Sequence, residues 1–189
     1  MTYREAIAYY IPKNEQEVVD QRTILRFIDT NPDVLDRTNT IAHLTSSAIV
    51  VNSSLTKVLF AHHNLYQSWG WVGGHNDGDP DLLHVAIKEA TEETGVNGLV
   101  PYSEDIFMVD VIHVTNHLKK GKVVGDHLHL NVTYLLVGDE SQTPQHKPDE
   151  NSGVRWFTFD DALEHVSEAR MKPVYRKAFD AIEALKKRP

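Results

Sequence analysis

The feature that most constrains this chain is a junction between two kinds of sequence. From Trp69 to Asp81 the residues run WGWVGGHNDGDPD, rich in glycine and aspartate, and read as a loop. From Leu82 to Thr94 they run LLHVAIKEATEET, a helical repeat that Gly95 stops. Asp79 and Pro80 are favourable start chemistry, because Asp caps free amides and Pro is pre-set for the first helical position, so the helix is expected to begin near Pro80. At about 100° per residue, Leu83, Ala86, Ile87, Ala90 and Thr94 form one stripe, expected to pack inward. Glu89, Glu92 and Glu93 fall on an adjoining arc. Like charges this close cost roughly 0.2–0.5 kcal/mol per pair. Taken alone, such a run most often marks a solvated face, and Lys88 lies four residues before Glu92. The preceding loop adds a second possibility. Gly73 and Gly74 lack side chains, so the backbone there can approach a metal or phosphate closely. Mg²⁺-like cations favour carboxylate and carbonyl oxygens, which this helix and loop offer together.

The rest of the chain places that unit within one mixed fold. Apolar residues at Val18, Val19, Ile24, Leu25 and Ile28 predict a helix from about Asn14 to Thr30, ended by Asn31 and Pro32. From Ile41 the pattern becomes strand-like, and HLTSSAIVVNS followed by KVLFAHH predicts a hairpin turning at Asn52 to Thr56. Further strands are expected over Ile106 to Thr115 and His127 to Val137, joined by the basic turn LKKGKVVGD, with a short strand at Val154 to Phe159 and helix from Asp160 onward. Helices and strands in this order predict a mixed α/β sandwich with a single core. The expected division is an N-terminal helical extension over residues 1–40 and the main domain over 41–189.

Composition narrows the chemistry. Among 189 residues, 27 are acidic and 19 are Lys or Arg, a net charge of -8 that disfavours a polymeric nucleic-acid partner. An acidic protein acting on small phosphorylated molecules needs a local positive charge, which a divalent cation supplies. There are no cysteines, which removes thiolate nucleophiles, Cys-based zinc sites and iron–sulfur clusters. No stretch has the length and apolarity of a membrane span, and the N-terminus has no signal-peptide core, so no membrane partner and a cytoplasmic location are expected.

The segment GGHNDGDPDLLHVAIKEATEETGV resembles the Nudix box, G-x5-E-x7-R-E-U-x-E-E-x-G-U, where U is a bulky aliphatic residue. Gly74, Glu89, Glu92, Glu93, Gly95 and Val96 match, six of the nine specified positions. The likeness extends from about Leu44 to Leu163, taking in the WGWVGGH approach and the GVRWFTFDDAL segment. The resemblance implies a Nudix-type α/β/α sandwich with a mixed sheet, and a MutT-like pyrophosphohydrolase that uses Mg²⁺, or Mn²⁺, on a small nucleotide-like diphosphate. It also implies that Glu89, Glu92, Glu93 and the Gly74 carbonyl hold the metal, and that Glu89 orients or deprotonates the attacking water. Glu93 and Lys88 fall at catalytic positions of the box. The base can lie outside the box in this family, and Glu150 is the candidate.

Three positions depart from the pattern. Pro80 replaces the first Glu, for which Asp77, Asp79 or Asp81 is a possible substitute. Lys88 replaces Arg, supplying charge without the bidentate fork. Ala90 replaces a bulky aliphatic residue. These changes admit a second reading, a nucleotide-binding or sensor module with weak or lost turnover. A third, an isoprenoid diphosphate isomerase, ranks last because the resemblance implies a catalytic Cys.

Outside the box, His127 and His129 share one face of a strand and are candidate substrate contacts. Trp71, with Tyr66 and Trp69, is positioned to stack on a base or to pack in the core. Lys119, Lys120 and Lys122 are candidates for attracting phosphate, though a basic turn is usually solvated. The eleven histidines show no tight spacing of the kind a zinc site uses. The N-terminal helix is an expected cap for the sheet or an interface for a homodimer.

Overall fold

The computed structural model describes residues 1–119 and 121–187. Its centre is the strand β1 (Ala42–Asn52), all eleven residues of which are buried. β1 runs parallel to β9 (His127–Gly138), in register from Ala42 opposite Leu128 to Asn52 opposite Gly138. A parallel pair with both faces covered explains why the run is apolar without strict alternation at its far end, Ala48 to Val51. β2 (Lys57–His63) pairs antiparallel with the end of β1, forming the expected hairpin. β10 (Asn151–Thr158) lies beyond β2, and β6 (Met108–Val114) and the short β5 (Val100–Pro101) pair with β9.

Helices cover both faces. Ile7 of α1 (Tyr3–Tyr9) and Ile24 and Ile28 of α2 (Glu15–Thr30) share a core with Leu82, Ala86 and Ala90 of α3 (Leu82–Thr94) and with Leu44, Ala48 and Val50 of β1. The opposite face, Ile49 and Val51, packs with Ala162 of α4 (Phe159–His165) and with Tyr175, Phe179 and Ile182 of α5 (Lys172–Lys186). This is the expected α/β/α sandwich with a mixed sheet. The N-terminal helices are built into that core: Glu17 is fully buried, accepts from Tyr10 Oη and the Lys13 amide (both 2.7 Å), and pairs with Lys177 Nζ at 3.0 Å. Lys177 also reaches Asp110 at 2.7 Å, and the Val111 amide donates to Asp20 Oδ2. These contacts tie α2 to β6 and α5.

Several local expectations need correction. The Trp69 to Asp81 segment is not wholly loop. It forms β3 (Ser68–Gly70), paired with β2, and β4 (Val72–His75), paired antiparallel with β1 from Thr45–His75 to Ala48–Val72. The glycines permit this, since a Cβ on Gly73 would lie 2.5 Å from Ser47 Cα. Helix α3 spans Leu82–Thr94 as expected, but its cap is Asp81 and not Asp79: Asp81 accepts from the His84 amide, while Asp79 is turned to the Asp81 amide and to His84 Nδ1. The C-terminal helical stretch is broken between α4 and α5, where Ser68 Oγ accepts the Ser167 amide. The basic turn is a two-stranded hairpin, β7 (His117–Lys119) with β8 (Lys122–Val124), and Lys120 lies outside the described residues. Helix α1, unanticipated, begins at a capping box in which Thr2 and Glu5 satisfy each other's amides. Among the described residues, no helix is long and apolar enough to cross a membrane.

Candidate active site

Strand β4 and helix α3 bring the loop glycines and the glutamates together. Glu93 Oε1 accepts the Gly73 amide at 2.8 Å, and its residue is only 4% exposed, so it belongs to the buried side of α3 and not to an outer arc. The buried positions of α3 are Leu82, Val85, Ala86, Ala90, Glu93 and Thr94, with Leu83 and Ile87 at the margin. Burial pushes the Glu93 carboxyl up to about 8, with Glu150 and Glu89 adding repulsion against the Gly73 amide that lowers it. Glu89 is half-buried and also raised, chiefly by burial, with Lys88 opposing and Glu92 adding. Its carboxyl crowds Gly74, where a Cβ would lie 2.6 Å from Glu89 Cδ and Oε2. Glu92 is the exposed member, with Lys88 at 4.0 Å and Lys147 at 3.4 Å. Lys88 also lies 3.7 Å from Glu89, and Lys147 pairs with Glu150 at 3.2 Å.

These groups open into a cavity of about 1000 Å³, lined by Gly73, Gly74, Glu89, Glu92, Glu93 and Glu150 on one side. Trp71, His127 and His129 line it as well, whereas Lys88 does not. Trp71 holds its ring edge-on to Tyr175, centroids 5.4 Å apart, so it packs and faces the cavity at once. Trp69 packs against Phe157, and Tyr66 lies against His63. The three loop aspartates do not line the cavity. Asp77 forms a bidentate pair with Arg37, Asp79 holds His84, and Asp81 caps α3.

Two groups here escaped the sequence reading. Thr45 and Ser47 on β1 both donate to Asn131 Oδ1 on β9, at 2.9 and 2.8 Å, giving the cavity a buried, hydrogen-bonded floor. His43 and His75 join His129 and His127, with the His43 ring 5.0–5.1 Å from each of the others. Burial holds His75 at about 3, with Arg37 and the neighbouring rings adding repulsion, and His129 at about 2, with the neighbouring rings again adding repulsion, and burial lowers His43 against the opposing Asn39 carbonyl. Strand alternation placed His127 and His129 together, but no local signal linked them to His43 or His75, because register across three strands does so.

The NUDIX domain family model matches residues 42–179, most of the chain. The chain belongs to the NUDIX family. Solved structures agree on the fold of the NUDIX domain. A NUDIX-family hydrolase from Clostridium perfringens superposes with a TM-score of 0.54 at 19% identity, covering 76% of this chain and 97% of the other. The Ap4A hydrolase binary complex from C. elegans gives 0.53 at 20%, covering 75% and 97%. The E. coli dihydroneopterin triphosphate pyrophosphohydrolase gives 0.53 at 13%, covering 75% and 92%. No curated protein matches. Family membership supports an enzyme of the pyrophosphohydrolase class, and α1 and α2 precede the matched NUDIX residues.

Proposed function

We propose that this protein is a Mg²⁺-dependent hydrolase, also able to use Mn²⁺, that cleaves a diphosphate linkage in a nucleoside diphosphate derivative. The observation that carries the reading is the convergence of Glu93 and Glu89 on the Gly73–Gly74 backbone, with both carboxyls disfavoured as anions by burial. Such a donor set fits a hard cation, and Glu89, Glu92, Glu93 and the Gly74 carbonyl are the groups that would hold it. When bound, the cation screens phosphate charge and acidifies water for attack on phosphorus. The chain's own groups do the positioning. The Gly73 amide fixes the Glu93 carboxyl, Lys88 biases Glu89 toward its ionised form, and Glu150 faces the same cavity as a candidate base, steadied by Lys147. Trp71, His127 and His129 line the same cavity, which supports them as candidate contacts for the remainder of a substrate.

The structurally similar Ap4A hydrolase and dihydroneopterin triphosphate pyrophosphohydrolase motivate a panel of dinucleoside polyphosphates and nucleoside triphosphates, with ADP-ribose and nucleotide sugars added. Product masses identify the broken bond. Turnover of at least one member with Mg²⁺ is expected, and Glu93→Gln is expected to abolish it with the fold intact. Unchanged turnover in that variant rejects the mechanism. Asp77, Asp79 and Asp81 bond to Arg37, to His84 and to the start of α3, and with no glutamate at Pro80 this supports a slow enzyme or a nucleotide sensor as the second reading. Tight binding without any product over long incubation would select the sensor.

A further inference from the structure

We propose that His43, His75 and His129 form a second metal site in the cavity, a three-histidine site for a divalent transition-metal ion of the zinc class. One ring nitrogen from each residue lies within 4.8 Å of the other two. Tetrahedral zinc with Zn–N bonds of about 2.0–2.1 Å sets its ligand nitrogens about 3.4 Å apart. The rings therefore need only small torsional closure to share one ion. The backbone is already committed to the arrangement, since His43 sits opposite His129 across β1 and β9, and His75 sits opposite Thr45 across β4 and β1.

The surroundings of the rings favour a ligand role over packing alone. His43 is 3% exposed, and its Nδ1–H donates to the Asn39 carbonyl at 2.9 Å. That fixes the tautomer and leaves Nε2 with its lone pair, buried and without a hydrogen-bond partner. A backbone carbonyl holding one imidazole nitrogen while the other is left bare is how metal-binding histidines are oriented. His127 backs the cluster: its Nδ1–H donates to the Gly125 carbonyl at 2.8 Å, so its Nε2 accepts from His129 Nε2–H at 3.3 Å, which leaves His129 Nδ1 as that ring's free lone pair. The donor atoms also set the class of ion. Imidazole nitrogens suit Zn²⁺ and its first-row neighbours, whereas Mg²⁺ selects oxygen, so the cavity offers two sites of different softness. Three histidines would leave one coordination position open, and all three line the cavity that the glutamates also line.

The test is direct metal binding by the full chain, with binding and spectroscopy as readouts. Chelator-treated protein is titrated with ZnCl₂, and its zinc content after gel filtration is measured by mass spectrometry. One equivalent of zinc is expected, with X-ray absorption showing an imidazole shell at about 2.0–2.1 Å. His129→Gln and His43→Gln are each expected to lower zinc affinity at least about 100-fold. Glu89→Gln and Glu93→Gln are expected to keep the zinc while losing Mg²⁺ binding, which separates this site from the proposed hydrolytic one. Absence of bound zinc in wild type, or an oxygen-only shell, overturns the proposal. So does undiminished zinc binding when all three histidines are replaced. Should the variants fail to fold, the wild-type stoichiometry and absorption spectrum decide by themselves.

Discussion

The buried Glu93 carboxyl should make the metal-free protein lose stability as pH rises, and the size of the effect follows from its surroundings. The carboxyl titrates at about 8 in the folded chain against 4.5 ordinarily. An acid raised in the folded state is protonated there while the unfolded chain is already ionised, so stability is full below 4.5 and falls as pH climbs toward 8. At about 1.36 kcal/mol per pH unit, the complete loss is on the order of 5 kcal/mol. Other groups titrate in the same interval. His75 and His129, lowered by burial, contribute stability that rises with pH up to the ordinary histidine value, and Asp110, raised to about 6, behaves like Glu93. The comparison that isolates Glu93 is wild type against Glu93→Gln, because glutamine keeps an oxygen for the Gly73 amide and has no proton to lose. Denaturant unfolding in EDTA, at intervals from about pH 5 to about pH 8.5, should show the two proteins close at the acid end and the variant more stable by several kcal/mol at the alkaline end. Mg²⁺ should close the gap by binding the ionised form. A difference between the two that stays constant across that range would refute the reasoning.

Three further predictions each test a single contact. Gly73→Ala should cost about 1–3 kcal/mol in denaturant unfolding, because the new Cβ meets the β1 backbone at Ser47 Cα (2.5 Å) and Ser46 O (2.6 Å). Gly74→Ala should cost less, since the obstacle is the movable Glu89 carboxyl, but it should weaken Mg²⁺ binding and turnover at least about tenfold. Lys177→Met should cost about 3–5 kcal/mol by the same unfolding assay, because it leaves Glu17 and Asp110 buried together without their shared cation.

What the sequence determined is what each element says about itself. The apolar spacing and the stop at Asn31 and Pro32 specified α2, alternation and the turn at Asn52 specified the first hairpin, and Gly95 stopped α3. The helical repeat also put Glu89, Glu92 and Glu93 within reach of one another, and the family pattern tied them to Gly74. The Thr2–Glu5 capping box was equally local and equally readable, though it lies in a helix of only seven residues whose apolar pattern is faint. Tertiary structure decided the rest, because periodicity fixes which residues share a face and not what covers that face. Glu93 is the buried glutamate because β4 brings the Gly73 amide to it, and the loop aspartates are excluded from the cavity because Arg37, His84 and the start of α3 claim them. The histidine cluster is the clearest case. His43, His75 and His129 lie far apart in sequence and meet only through the registers that join β1 to β4 and β9.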